Sequence, residues 1–182
     1  PFNAVLSKYV QDSIYEERYQ DILPCYYLGL VMNLVLSCVL GIGFCLWEHF
    51  VGGVEVFYVF IGYCAYISMV LVFYSMVYLS ICKDYERISL FFLLGMLEAF
   101  VLGVVLRYLF RWDVMHAMLF ALMTGFFLIA ILEFTAVKRY FLQNSNRYKP
   151  VLLYFKKWWK LVVTNFLYTL GLYIHNFVFW TD

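Results

Sequence analysis

Two glutamates, Glu98 and Glu133, lie inside long apolar stretches whose remaining residues, histidine apart, carry no charge. A charged side chain at the centre of a bilayer costs about 2.5–3.5 kcal/mol on insertion scales, so such acids often mark transport pathways. Glu98 is near the middle of its stretch, where it is either a neutral, hydrogen-bonded structural acid or part of a transport path. Glu133 is near the end of its stretch, where it either pairs with water or the nearby Lys138 and Arg139 or joins that path.

Neutral polar residues recur at helical spacing in two other apolar stretches. Asn33 belongs to a repeat with a period of four that also contains Gly29, Ser37 and Gly41. Residues spaced in this way share one helix face, which serves either helix–helix packing and hydrogen bonding or the lining of a cavity. A similar stripe near the C-terminus contains Asn165, Thr169 and Asn176, with His175 beside it. The complete set of transport-path candidates is Glu98, Asn33, Asn165, Thr169, His175, Asn176 and Glu133.

Small residues form two further stripes with the same period. The first contains Gly95, Ala99 and Gly103, and the second contains Ala117, Ala121 and Gly125. Small residues let two membrane helices approach closely, and they also leave room for a bulky ligand. The two stripes therefore predict either close packing of helices or the wall of a cavity.

Enzyme and metal chemistry have no signature in this sequence. It contains no G-x-S-x-G, H-E-x-x-H or glycine-rich phosphate-binding motif. The five cysteines include no C-x-x-C pair and the three histidines are far apart, so we predict neither disulfides nor a metal site. We expect a protein without catalytic activity or cofactor, and without a nucleic-acid partner, because the net charge is only +1.

Helices that cross a membrane must position these residues. A helix needs about 20 apolar residues to cross about 30 Å of hydrocarbon. Runs of this kind predict five spans, at about 22–47, 56–82, 88–106, 114–137 and 161–180. Helices satisfy their own backbone hydrogen bonds in lipid, whereas a barrel would show shorter, alternating segments. We therefore predict an all-α, polytopic transmembrane helical bundle.

The connections between the spans suggest four segments. Residues 1–23 alternate apolar and charged residues at helical spacing and predict a cytoplasmic amphipathic segment. Residues 24–137 form a bundle of four helices, 138–160 a basic linker, and 161–182 the first helix of a second bundle. The linker is either a topology anchor at anionic lipid or a docking surface for a cytoplasmic partner. Its basic surface comprises Lys138, Arg139, Lys156, Lys157 and Lys160.

The distribution of lysine and arginine predicts the orientation of the chain in the membrane. The segments on one side of the spans contain eleven of these residues, and the segments on the other side contain two. The positive-inside rule then places the N-terminal segment in the cytoplasm and the end of the fifth span outside. Because the chain begins at Pro1 and ends directly after an apolar run, we also expect an internal piece of a longer protein.

Three stretches carry a family resemblance: LSKYVQDSIYEERYQDILP (6–24), KDYER (83–87) and NFLYTLGLYIHNFVFW (165–180). The first resembles the end of the second helix and the following cytoplasmic segment of the PelG-type membrane subunit of the Pel exopolysaccharide system. The second lies where that family has a short charged loop, and the third resembles its seventh helix. The resemblance covers essentially the whole chain, in order.

This resemblance implies a bacterial inner-membrane transporter related to polysaccharide flippases of the MOP superfamily, with about twelve helices in two bundles. The chain would supply helices three to seven, and residues 138–160 would be the linker between the bundles. The implied cargo is a cationic, amino-sugar-rich biofilm polymer that moves outward. Its partners would be the bilayer, the polysaccharide, a cytoplasmic glycosyltransferase and other membrane subunits of the synthase complex. The alternative is a membrane scaffold that anchors the glycosyltransferase without transporting the polymer.

Overall fold

A computed structural model describes residues 2–142 and 145–179, apart from the side chains of residues 173 and 175–179. The fold is 86% helical, and the described residues contain no strand. In chain order the helices are α1 (Asn3–Tyr15), α2 (Ile22–Phe50), α3 (Val56–Ile81), α4 (Tyr85–Tyr108), α5 (Val114–Tyr140), α6 (Lys149–Lys157) and α7 (Trp159–Phe179). This architecture confirms the predicted all-α helical bundle.

Within the described residues, four helical stretches are long and apolar enough to cross a membrane, and their most apolar parts have mean hydropathies of 2.2 to 2.4. They are Tyr19–Phe50, Val56–Ile81, Tyr85–Tyr108 and Val114–Tyr140, which agree with the first four predicted spans to within three residues at each end. The fifth predicted span forms α7, and its crossing of the membrane stays a prediction.

The N-terminal amphipathic helix ends earlier than its pattern predicts. It stops at Tyr15, and Glu17 then takes a left-handed backbone conformation with φ 57° before a short 3-10 turn. Pro24 does not end this helix but lies in the first turn of α2. Proline is tolerated there because the first N–H groups of a helix have no intrahelical acceptor.

The chain divides into two compact units. The terminal unit contains Pro1–Gly29 together with Phe141–Asp182, and the central unit contains Leu30–Tyr140. Helix α2 begins in the first and continues in the second.

The terminal unit is built on contacts between α1 and the α6–α7 segment. Val5 and Val10 of α1 are fully buried, and Val151 of α6 is nearly so. The rings of Tyr9 and Tyr154 meet edge to face at 5.2 Å, and the Tyr154 hydroxyl donates a hydrogen bond to the Asp12 carboxylate. The apolar face predicted for residues 1–23 therefore packs largely against protein.

A second group of hydrogen bonds ties the linker to the start of α2. The Ser145 hydroxyl donates to Oδ1 of Asp21 at 2.7 Å, and the Ser145 N–H donates to the Gln20 carbonyl at 3.0 Å. Asp21 is only 6% exposed, and its other oxygen accepts from Arg18 at 3.4 Å. These bonds satisfy a carboxylate that would otherwise be costly to bury.

In the central unit, α5 packs along both α3 and α4. Helices α3 and α5 run parallel, because the Phe57 ring stacks on His116 near both N-termini and Val72 clusters with Ile129 further along. His116 also lies 3.4 Å from Oε2 of Glu55 and 3.6 Å from Oδ2 of Asp113. These contacts fix the register of α3 against α5.

The α4–α5 contact is made by the two small-residue stripes. A methyl group added at Gly125 would lie 2.6 Å from the Gly95 carbonyl oxygen and 2.9 Å from Cβ of Ala99. Ala121 is 2% exposed and Ala117 is 1% exposed. The stripes therefore pack closely at Gly95 and Gly125. Ala99, Gly103, Ala117 and Ala121 also line a cavity of about 380 Å³, so the second interpretation, a cavity wall, stays open for that part of the stripes.

Candidate functional site

Glu133 is fully buried on α5. Its side chain is 0% exposed, and neither Oε1 nor Oε2 has a hydrogen-bond partner among the described residues. Ile129 and Val137, one helical turn away on either side, are also 0% exposed. Glu133 thus faces the interior of the helix bundle and not lipid or water.

The structure does not show the pairing of Glu133 with Lys138 and Arg139, which is one of the alternatives left open by the sequence. Both cations are exposed, whereas Glu133 is sealed within the bundle. At about 100° per residue, Lys138 and Arg139 lie about 140° and 120° away from Glu133 around α5. The three residues are close in sequence, but the turn of the helix places Lys138 and Arg139 on a different side of α5 from Glu133.

The register of α3 against α5 places a polar layer at the level of Glu133. Since Val72 clusters with Ile129 and Ala130, parallel packing brings the next turn of α3 level with Glu133. This part of α3 contains three buried polar residues, Tyr74, Ser75 and Tyr78, each at most 3% exposed. The Tyr74 hydroxyl donates a hydrogen bond to the Tyr78 hydroxyl at 3.1 Å. Our sequence reasoning missed them, although their spacing on one helix face was a usable signal.

Glu98 points from α4 into the contact with α5. Its Oε2 atom is buried and has no hydrogen-bond partner among the described residues, while the side chain as a whole is half-buried. A methyl group added at Gly125 would lie 3.4 Å from this oxygen, so the absence of a side chain at Gly125 makes room for the carboxyl group. The Glu98 side chain is therefore partly covered by α5 and partly exposed on the outside of the helix bundle.

The two acids do not form a pair. Glu98 lies beside Gly125, and Gly125 precedes Glu133 by eight residues on α5. Eight residues correspond to about 12 Å of helix rise. The central unit therefore holds two separate buried carboxyl groups at different depths.

The remaining transport-path candidates are spread over both units. Asn33 is half-buried on α2 in the central unit, and Asn165 is half-buried on α7 in the terminal unit. Thr169 is exposed, and its hydroxyl donates to the Asn165 carbonyl at 2.8 Å, which satisfies it within its own helix. The side chains of His175 and Asn176 lie outside the described residues.

All five residues of the predicted basic surface are exposed. The Lys138 ammonium lies 5.8 Å from the centre of the Phe134 ring, and the Lys157 ammonium lies 5.7 Å from that of Trp158. Lys156 and Lys160 flank the same junction between α6 and α7. Among the described residues, no group of three or more His, Cys, Asp or Glu side chains could hold a metal ion.

Comparison with known proteins places this arrangement in a family. No curated protein and no solved structure is significantly similar to the chain. One family model matches residues 1–182, and its description is "PelG: Putative exopolysaccharide Exporter (EPS-E)". This match covers the whole chain and agrees with the resemblance seen in the sequence. The chain therefore belongs to the PelG family of exopolysaccharide exporters.

Proposed function

We propose that this chain is part of an inner-membrane exporter that carries an amino-sugar-rich, Pel-like polymer out of the cell. The observation that carries the proposal is the family match over residues 1–182. Its four membrane-length helices support a role within the bilayer. We place the N-terminal segment in the cytoplasm and the end of α7 outside, as the distribution of lysine and arginine favours.

The intramembrane carboxyl groups are suited to a cationic cargo. Glu98 has the better access, because its side chain is half-buried at the α4–α5 contact. An amino sugar carries an ammonium group, and an opposite charge in a poorly solvated site attracts it strongly. We assign Glu98 to cargo contact and Glu133, sealed between the helices, to a second site reached only when α3 and α5 separate.

A Glu98→Gln variant tests this assignment. Glutamine keeps the size of the side chain and removes the charge, so we expect polymer export to fall while protein abundance stays normal. A suitable control is Leu97→Ala, since Leu97 is 60% exposed on the same helix turn. Export is measured as secreted polymer per cell, and abundance by immunoblot of the membrane fraction. Export by Glu98→Gln at the wild-type level would refute the role of Glu98.

The second candidate function is a scaffold that anchors a cytoplasmic glycosyltransferase. One observation favours it: Lys156, Lys157 and Lys160 stay exposed although α6 packs against α1. A partner with an acidic surface would complement these charges. Replacing all three with glutamine is expected to reduce co-purification of the glycosyltransferase. A control with the same change in charge replaces Lys83, Arg147 and Lys149, which are exposed and lie outside that basic surface. Unchanged co-purification in the triple variant counts against the scaffold.

A further inference from the structure

A small cavity opens between α4 and α5 at the end of the central unit where α4 begins and α5 ends. Its volume is about 310 Å³. Two cationic residues, four apolar residues and one hydroxyl residue line it: Arg87, Arg139, Leu90, Phe91, Leu132, Ala136 and Thr135. The cavity therefore combines a positive rim with an apolar floor, and neither acid of the candidate site belongs to it.

Neighbouring side chains hold Arg87 in place. Its Nε lies 3.3 Å from Oδ2 of Asp84, and its guanidinium carbon lies 5.3 Å from the centre of the Tyr140 ring. The Tyr140 hydroxyl in turn donates to Asp84. A guanidinium has five N–H donors, so a single contact through Nε leaves others for a ligand. Half of the Arg87 side chain is exposed.

Arg139 completes the positive rim without a charged partner of its own. It is exposed near the C-terminus of α5, and no carboxylate of the described residues forms an ion pair with it. The Thr135 hydroxyl donates to the Ile131 carbonyl at 2.8 Å, so it is already satisfied. An anion entering here would therefore bind chiefly to the two guanidinium groups.

We propose that this cavity binds an anionic phospholipid, with the phosphate at Arg87 and Arg139 and an acyl chain on Leu90, Phe91 and Leu132. Guanidinium groups match phosphate oxygens in geometry and charge, and basic pockets between membrane helices bind lipid head groups. The apolar floor favours a lipid over a free anion, because a soluble phosphate gains nothing from covering leucine and phenylalanine. The site lies at the end of two membrane-length helices, where head groups are found.

The test compares lipid retention by the purified full chain in native mass spectrometry. The probes are dioleoyl phosphatidylglycerol and dioleoyl phosphatidylcholine, which have the same acyl chains. We expect phosphatidylglycerol to be retained preferentially. Arg139→Gln is expected to reduce that preference about fivefold, because the loss of one cation near an anionic head group weakens lipid binding by about that factor. Arg87→Gln, added to Arg139→Gln, is expected to abolish the preference.

Lys138→Gln is the matched control, since it removes one exposed positive charge from the same turn of α5 but outside the cavity. Retention by this variant close to wild type supports the site, whereas a loss equal to that of Arg139→Gln overturns it. Equal retention of the two lipids by the wild type also overturns it. If glycerol phosphate without acyl chains displaces the bound lipid completely at equal concentration, the site recognises free phosphate and the lipid assignment is wrong. Circular dichroism checks that each variant stays helical.

Discussion

Substitution of Gly125 with alanine is expected to weaken the α4–α5 contact. The added methyl group would lie 2.6 Å from a backbone carbonyl of α4, at Gly95, and 2.9 Å from Cβ of Ala99. Neither neighbour is the flexible end of a side chain, so the two helices must move apart. Gly103→Ala provides the matched control on α4, because its methyl group would meet Cβ of Ala121 at an ordinary 3.5 Å.

The difference between the two variants isolates the steric cost. Replacing glycine with alanine inside a helix gains about 0.8–1.0 kcal/mol in helix propensity, and both variants share this gain. Overpacking costs about 1–3 kcal/mol, and it applies to Gly125→Ala alone. We therefore expect the free energy of unfolding of Gly125→Ala to be about 1–3 kcal/mol lower than that of Gly103→Ala.

The comparison is made by reversible unfolding of the purified proteins in detergent, followed by circular dichroism. Glu98 also lies beside Gly125, so polymer export is measured on the same variants. Equal unfolding free energies, within about 0.5 kcal/mol, would refute the close contact between the two stripes. Lower stability of Gly103→Ala than of Gly125→Ala would refute the register of α4 against α5.

Two further predictions concern buried polar groups. Glu133→Leu removes a carboxyl group whose two oxygens have no hydrogen-bond partner among the described residues. We therefore expect a gain of about 1–3 kcal/mol in unfolding free energy and a loss of export. A loss of stability would show that Glu133 has a partner. Burial and the hydrogen bond to Asp12 raise the pKa of Tyr154 above the usual value of about 10 for tyrosine. The folded state keeps the Tyr154 proton to a higher pH than the unfolded state does. The contribution of this group to the free energy of unfolding is therefore fully present below about pH 10. Above that pH it falls by about 1.4 kcal/mol per pH unit. Tyr154→Phe should be less sensitive to pH between 10 and 12 in urea unfolding, and identical pH profiles would contradict this assignment.

The spans could be predicted because hydrocarbon imposes a simple rule on length and composition. Helices α3 and α5 begin at the predicted residues, Val56 and Val114, where charged or polar loops give way to apolar runs. The stop of α1 at Tyr15 could not be predicted in the same way, since the left-handed conformation of Glu17 has no strong sequence signal.

The candidate site was predicted less well than the fold. Composition identified Glu98 and Glu133 as unusual, and both have buried oxygens without partners. It could not give their surroundings, because the direction of a side chain depends on how α3, α4 and α5 pack against one another. The position of Glu133 near the end of its apolar run does not show that the rotation of α5 turns its side chain inward. Tyr74 and Tyr78 were overlooked because tyrosine is common throughout the chain.

The bond between Tyr154 and Asp12 has a consequence for the order of events during synthesis. It joins residues 142 positions apart, and the whole central unit lies between them. At about 5–20 residues per second, a ribosome needs about 7 to 28 s to make that stretch. During this time the α6–α7 segment that α1 contacts has not been made, so the apolar face of α1 meets the bilayer surface or a chaperone first. Closure of the terminal unit then comes after insertion of the helices between its two halves.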